Sequence, residues 1–266
     1  MKPGLALLLA TVAFAGITAS ACAEVLSYTR ADLEKIHNQM VATGVAITQT
    51  YPNKQGASES TNSSGTVVDM KIHNDDCVHY VLTTEHGIDD SYDATSRTMR
   101  GGIRVYWQMF DQAHMGTDTV SRRAVVVRVD DRLDVALLRF AEPVCNSSLR
   151  SAYVADSTAV VLPGQQAWLV SAVLGGVDSI LLLSGNITTF QMSRYDVPIV
   201  GFSTSFKPGQ SGGGGFIYDN TCECFVLVSV LQRTTPDHSY SNEGISTQEL
   251  VRFLDAARAQ ILDNEQ

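Results

Sequence analysis

Short runs of β-branched and apolar residues, separated by turn-forming residues, dominate the chain from residue 65 onward. They occupy residues 66–70, 78–83, 102–107, 124–129, 135–140, 167–170, 179–183, 216–218 and 225–230. Long helical periodicity is almost absent between these runs. Strands of this length and spacing are typical of antiparallel sheets that close into barrels or pack as sandwiches. We therefore expect an all-β fold.

Two segments near the ends of the chain predict helices. The first spans residues 29–42, has Thr29 as a candidate N-cap, and places three apolar side chains on one face: Leu33, Ile36 and Met40. The second spans residues 246–262, where Ser246 and Glu249 have the spacing of a capping box. Its predicted buried stripe consists of Leu250, Phe253, Leu254 and Ala257.

Residues 1–23 have the pattern of a secretory signal peptide. One positive charge precedes a nearly apolar stretch at residues 4–17, and Ala21-Cys22-Ala23 forms a small-residue cleavage site. A lipoprotein signal is the alternative, in which Cys22 would carry a lipid anchor. We expect a secreted or periplasmic protein, or else one anchored to a membrane through Cys22.

The exported chain divides by composition near residue 64. Residues 24–63 contain the first helix, a strand at 44–51 and a loop rich in Ser, Asn and Gly from residue 52; residues 64–266 would form the main domain. The formal net charge is −9 and the isoelectric point about 5.0, which argues against nucleic acid or an anionic membrane surface as a partner. No later segment of the sequence is long and apolar enough to span a bilayer.

Four cysteines follow the signal segment: Cys77, Cys145, Cys222 and Cys224. An even number in an exported protein favours one or two disulfides, and four cysteines allow three pairings. The Cys222-Glu223-Cys224 segment lacks the two-residue spacer of a zinc site, and no histidine is close in sequence. We expect no metal.

A single serine stands in a glycine run at residues 207–216, Lys-Pro-Gly-Gln-Ser-Gly-Gly-Gly-Gly-Phe. Such a loop can turn sharply and direct several backbone N–H groups at one point. A serine beside converging N–H groups is the arrangement that acyl transfer needs, a nucleophile next to an oxyanion hole. A flexible linker is the alternative for these residues taken alone.

A nucleophilic serine needs a histidine as base and a carboxylate to orient that histidine. Among the six histidines, His86 stands just past the end of an apolar strand, where a scaffold can aim a side chain into a cleft. Three aspartates cluster before another strand. Asp130 and Asp131 have the pattern of turn residues, whereas Asp134 opens an apolar run and would be partly buried, so it needs a partner such as an imidazole N–H.

These three segments, in this order, resemble the chymotrypsin-like (trypsin-like) serine peptidases. They read Thr-Thr-Glu-His-Gly at residues 83–87, Asp-Val-Ala-Leu-Leu at 134–138 and Gly-Gln-Ser-Gly-Gly at 209–213. Residues 64–68 and 206–213 are similar to segments of bacterial HtrA-type protease domains. The resemblance covers about residues 64–254 and leaves no room for a following PDZ domain.

The resemblance implies two six-stranded antiparallel β-barrels, with lobes at roughly 64–150 and 151–245. It implies an exported serine endopeptidase that uses no cofactor and cleaves peptide or protein substrates. Ser211 would be the nucleophile, His86 the general base and then acid, and Asp134 its orienting carboxylate. The N–H groups of Gly209 and Ser211 would form the oxyanion hole.

Substrate contacts follow from the same resemblance. Ser205 would line the pocket for the cleaved residue and would favour small or aliphatic side chains there. The edge strand at residues 228–230, with Ser229 and Val230, would pair with the substrate backbone.

Two departures from the family pattern support an alternative function. Glu85 precedes the histidine, and Gly214 and Gly215 follow the Ser-Gly-Gly segment where proline is common. The extra glycines are expected to loosen the nucleophile loop. The alternative is therefore a weak or inactive pseudoprotease that serves as a binding or structural module.

Overall fold

The computed structural model describes residues 29–72, 77–111, 116–145, 148–156, 159–172, 180–192, 196–204, 207–234 and 242–265. The predicted signal peptide and Cys22 lie outside these residues. In chain order the elements are α1 (Arg30–Gln39), a 3₁₀ turn (Val41–Thr43), β1 (Gly44–Pro52), β2 (Ser58–Val68), β3 (Tyr80–Thr83), β4 (Tyr92–Asp93), β5 (Thr98–Met99), β6 (Gly102–Asp111), β7 (Gly116–Asp130), β8 (Val135–Phe140), β9 (Tyr153–Val154), β10 (Gln166–Ala172), β11 (Ile180–Met192), β12 (Pro198–Phe202), β13 (Gly214–Asp219), β14 (Cys224–Thr234), β15 (Asn242–Ile245) and α2 (Thr247–Asn264).

Two antiparallel barrels of six strands each form the molecule. The first closes in the order β1-β2-β3-β8-β7-β6. The second runs β13-β10-β11-β12-β15-β14 and closes where β13 pairs with β14, while the short β9 adds to β14 in parallel. Along each strand, side chains that point into the barrel alternate with side chains that point outward. The inward ones give each barrel its own apolar core. The fold expected from the sequence, with its short N-terminal and C-terminal helices, is confirmed.

The Ser- and Asn-rich segment before residue 64 is a strand and not the expected loop. β2 pairs with the whole of β1, from Gly44 opposite Thr66 to Pro52 opposite Ser58. Its first five residues are exposed, so polar side chains face water there while the backbone pairs with β1 on one side. The boundary expected at residue 64 therefore falls inside β2, and the first barrel begins at Gly44.

The helix α1 has the predicted cap, but only part of its apolar face packs against the core. Thr29 and Asp32 form a reciprocal capping box. Met40 is completely buried and Ile36 packs against the core, but Leu33 is 55% exposed. The helix ends at Gln39, and Met40 lies between it and the 3₁₀ turn, which carries the chain into β1. Of the three apolar residues predicted to share a face, Leu33 is therefore the one that does not pack against the core.

The helix α2 closes the chain against both barrels. Ser246 accepts the N–H of Glu249, while the Glu249 side chain pairs with Arg252 and leaves the capping box half formed. All four predicted stripe residues are buried, together with Ile261. They join one apolar cluster with residues of both barrels, among them Leu82, Leu137, Phe216 and Leu227. This shared core packs one barrel against the other.

Disulfides join Cys77 to Cys145 and Cys222 to Cys224. The first links the residues before β3 and after β8 across 68 positions of the sequence. The second spans two positions in the turn between β13 and β14. Neither described helix has the length and apolar character needed to cross a membrane.

Candidate active site

His86 stands in a turn just after β3, three residues beyond Thr83. The strand is fully buried and fixes where the chain leaves the first barrel. The His86 side chain is 44% exposed. It therefore follows directly from a buried strand and still reaches solvent. A side chain so placed can contact a bound molecule.

Asp134 ends the turn between β7 and β8 and faces His86. Its carboxylate oxygens lie 2.8 and 3.0 Å from His86 Nδ1, and Oδ1 also accepts the backbone N–H of His86 at 3.0 Å. Because the carboxylate only accepts, Nδ1 carries the proton and Nε2 is left as the basic nitrogen. Asp130 and Asp131 instead accept N–H groups of their own turn, from Leu133 and Arg132.

The pKa of His86 is raised above its ordinary value of 6.5. Burial opposes the charge on the imidazole, but the hydrogen bond to Asp134 and the carboxylates of Asp134, Asp89 and Glu85 outweigh that burial. The pKa values of Glu85 and Asp89 are raised as well, first by burial and then by neighbouring carboxylates. The acidic residue before the histidine thus belongs to the electrostatic environment of the base.

Ser211 lies in the loop before β13, and its hydroxyl donates to the carbonyl of Gln232 at 2.8 Å. Within the described part of the chain, no hydrogen bond joins Ser211 to His86. The structure therefore pairs His86 with Asp134 as expected and shows Ser211 in a different contact.

The backbone around Ser211 leaves two N–H groups without an acceptor among the described residues, those of Gly209 and Ser211. The N–H groups of their neighbours Gln210 and Gly212 are bonded to Lys207 and Leu231. Gly209 has a φ of +87°, a conformation that glycine adopts without strain. Two unused donors flanking one residue are what a developing oxyanion would need.

The glycine run is closely packed, contrary to the expectation that it is loose. Gly212 has a φ of +90°, and a Cβ there would overlap the carbonyl of Ser64 and the Thr83 hydroxyl. Gly214 and Gly215 are buried and begin β13, paired with β10 on one side and β14 on the other. The departures after the Ser-Gly-Gly segment are therefore places where strands approach closely.

The two residues expected to pair with the substrate backbone are buried in the second barrel. Ser229 and Val230 are completely buried, and both pair with β13. The Ser229 hydroxyl donates to the carbonyl of Ile245. The segment is thus buried where these two residues lie, and its pairing with a substrate backbone stays a prediction. Ser205 lies outside the described residues.

Two residues at the site had no role assigned from the sequence. Gln232 is buried and its amide donates to the carbonyls of Leu133 and Asp134, the latter at 3.3 Å. Ser64 is completely buried and contacts the nucleophile loop. The only sequence signal is polarity. Gln232 stands two residues after the strand predicted at residues 225–230, where a buried polar side chain would need partners.

The described residues contain no group of three or more His, Cys, Asp and Glu side chains that could hold a metal ion. The site itself offers an imidazole paired with a carboxylate, a hydroxyl and two N–H groups without an acceptor among the described residues.

Comparison with known proteins identifies the family and the fold of the chain. A family model described as the trypsin-like peptidase domain matches residues 42–221. The crystal structure of Deg5 superimposes with a TM-score of 0.58 at 16% sequence identity, over 83% of this chain and 90% of that one, which indicates a shared fold. No curated protein matches the sequence. Because the family model covers more than half of the chain, the protein belongs to the trypsin-like peptidase family.

Proposed function

We propose that the protein is an exported serine endopeptidase that hydrolyses peptide bonds through Ser211, His86 and Asp134. The observation that carries this proposal is the His86–Asp134 pair, in a trypsin-like fold whose serine loop has two unused N–H donors. The pair supplies an oriented base, and the loop supplies a nucleophile beside an oxyanion hole.

The proposed reaction begins with a rotation of the Ser211 side chain. Its hydroxyl leaves the Gln232 carbonyl and donates to Nε2 of His86. As Oγ attacks the peptide carbonyl carbon, its proton passes to Nε2, and the N–H groups of Gly209 and Ser211 bind the oxygen that becomes negative. Asp134 stabilises the imidazolium that forms.

Collapse of this intermediate breaks the C–N bond, and His86 gives its proton to the leaving amine. An acyl-enzyme ester on Ser211 remains. Water then attacks the ester carbonyl while His86 takes a proton from the water. The return of that proton to Ser211 Oγ, as the ester C–O bond breaks, releases the acid product.

The open edge for a substrate strand lies further along β14 than the sequence indicated. In the described part of the chain, Arg233 and Thr234 pair with β15 alone, opposite Glu243 and Asn242. The β13 partner ends at Gly214, so the other side of these two residues can accept an extended peptide. We place the substrate backbone there.

Labelling with a fluorophosphonate probe tests the enzyme function. Wild-type protein should react at Ser211, and Ser211→Ala should not. A peptide library would then define the preferred cleavage site. Absent labelling, or equal labelling of both proteins, would contradict the proposal.

A binding module without catalysis is the second candidate, and one observation favours it. The Ser211 hydroxyl is held by a carbonyl that cannot accept a proton for catalysis. If this contact persists, the protein would bind peptides at the β14 edge without cleaving them. Peptides recovered intact after long incubation with the wild-type protein would support this alternative.

The proposed export is tested by the mass of the mature protein. Cleavage after Ala23 would give a soluble chain that begins at Glu24. A chain that begins at a lipid-modified Cys22 and sediments with membranes would support the alternative anchor.

A further inference from the structure

We propose that Ser64 is a positioning residue that holds the oxyanion hole in shape. This inference rests on the proposed function, in which the N–H groups of Gly209 and Ser211 bind the oxyanion. Ser64 lies in β2 of the first barrel, whereas both donors belong to the loop before β13 of the second barrel. Its side chain is completely buried.

The Ser64 hydroxyl has a defined direction. Its oxygen accepts the N–H of Ala172, at the end of β10, at 2.9 Å, and its proton goes to the carbonyl of Gly209 at 2.8 Å. A hydroxyl has one proton, so the bond from Ala172 directs that proton toward the loop. The hydroxyl therefore bridges a strand of the second barrel and the nucleophile loop.

The backbone of Ser64 holds the same loop at a second point. Its N–H donates to the carbonyl of Ser211 at 2.8 Å. The two carbonyls held by Ser64 belong to the peptide planes on either side of the plane that carries the Ser211 N–H. That middle plane is held as well, because the Gln210 carbonyl accepts the N–H of Gly213 at 3.2 Å.

The Gly209 donor depends most on this contact. Its N–H belongs to the plane before Gly209, and only the two dihedral angles of a glycine separate it from the plane that Ser64 holds. Glycine can adopt many such angles, so the loop sequence alone does not fix the donor. The hydrogen bond to the Gly209 carbonyl fixes one side of this hinge.

Ser64 also contacts the strand that carries the base. Its carbonyl accepts the hydroxyl of Thr83 at 2.7 Å, and Thr83 is the last residue of β3, three positions before His86. One buried residue thus links the nucleophile loop, the strand before His86 and the second barrel. We infer that Ser64 keeps the oxyanion donors in register with the base.

The preceding residue provides a matched control. Ser63 lies on the same strand and is 3% exposed, but its hydroxyl donates to the carbonyl of Gly87, at 3.3 Å, on the histidine side. Ser63→Ala and Ser64→Ala therefore remove the same atom from neighbouring buried sites. Only the second loses the contact with the nucleophile loop.

Steady-state kinetics and hydrogen–deuterium exchange together test the inference. In Ser64→Ala, kcat should fall by about tenfold or more, since a complete oxyanion donor contributes roughly a hundredfold to a thousandfold. KM should change by less than about threefold, because the peptide binds elsewhere, along β14. Amides of residues 209–213 should exchange faster. Ser63→Ala should resemble the wild type in both measurements.

A second variant guards against a simple loss of folding. Ser64→Cys fills nearly the same space with a weak donor, so it should show the same faster exchange in residues 209–213. Unchanged exchange in both Ser64 variants, or equal losses of kcat in Ser63→Ala and Ser64→Ala, would overturn the inference. An inactive wild-type protein would contradict the proposed function, and the exchange data would still decide whether Ser64 holds the loop.

Discussion

His86 works among carboxylates, and this determines how its protonation depends on pH. Asp134 bonds it directly, while Asp89 and Glu85 act through space. All three favour the imidazolium over the neutral ring and thereby oppose the burial that would favour the neutral form. In the proposed mechanism the neutral ring accepts the proton of Ser211. The same carboxylates that would stabilise the imidazolium therefore raise the pH at which the neutral base becomes available.

The pH dependence of kcat/KM should therefore rise through a pKa above 6.5. Below that pKa His86 is protonated and cannot act as a base, and above it the neutral base is present. Glu85→Gln combined with Asp89→Asn should lower the pKa and move the rise to lower pH. Glu142→Gln is the control, since that exposed carboxylate is not among the groups that chiefly shift the pKa of His86, Glu85 or Asp89. Identical profiles for all variants would contradict the role of these charges.

Replacement of Asp134 should be far more damaging than replacement of the two aspartates before it. Asp134→Asn removes the acceptor that fixes the His86 tautomer, and kcat should fall by roughly ten-thousandfold. The fold should survive, because Asp134 has a φ of +52° and asparagine tolerates that conformation well. Asp130→Asn and Asp131→Asn should keep near-normal kcat in the same assay. A comparable loss in either of them would reassign the orienting carboxylate.

At the scale of elements, the nucleophile loop is closely packed because its glycines let neighbouring groups approach the backbone. Gly212 packs against Ser64 and Thr83, and Gly214 and Gly215 lie between β10 and β14. The run of four glycines after the serine therefore marks the line along which the loop enters the second barrel. Its composition resembles a linker, but its contacts do not.

Two glycines with positive φ separate the cost of backbone strain from the cost of close packing. Gly56 has a φ of +81° and open space around it, whereas Gly212 has a similar φ and no room for a Cβ. Gly56→Ala should lower the free energy of unfolding by about 1–2 kcal/mol. Gly212→Ala should lower it by more and also abolish activity, as measured by urea unfolding and turnover. Equal losses of stability would mean that φ alone sets the cost.

The sequence predicts local features of this fold and misses features that depend on distant partners. His86 follows a recognisable apolar run and Asp134 precedes one, so their positions could be predicted. The strand β2 could not, because residues 58–62 have little strand propensity and are ordered by pairing with β1. The pairing partners along β14 likewise depend on where β13 and β15 end, which periodicity within the strand does not show.

The contacts of Ser64 could not be predicted for the same reason. Its hydrogen bonds reach Thr83, Ala172, Gly209 and Ser211, all remote in sequence. In the sequence it is one serine of a polar segment. A buried polar residue becomes informative only when its partners are known.

At the scale of the whole molecule, the site exists only where the two barrels meet. The first barrel supplies His86 and Asp134, and the second supplies Ser211 and Gln232. An apolar cluster shared by both barrels and α2 holds them together, but apolar contacts have no preferred direction and do not fix the relative positions of single groups in the two barrels. Directional hydrogen bonds across the cleft can supply that register. Ser64 makes such bonds on the oxyanion side, and Gln232 makes them on the side of the acid.

Gln232→Leu tests whether the contact on the acid side matters for catalysis. The substitution leaves the carbonyls of Leu133 and Asp134 without the amide donor and so frees the turn that presents the Asp134 carboxylate. We expect kcat to fall by about tenfold or more. Gln49→Leu is the control, because Gln49 is also buried but, among the described residues, its side chain accepts a hydrogen bond from the Ser91 N–H alone, on the side of the first barrel. Both variants should lose about 1–3 kcal/mol of stability in urea unfolding. If Gln49→Leu loses as much kcat as Gln232→Leu, general destabilisation explains the effect and the contact between barrels does not.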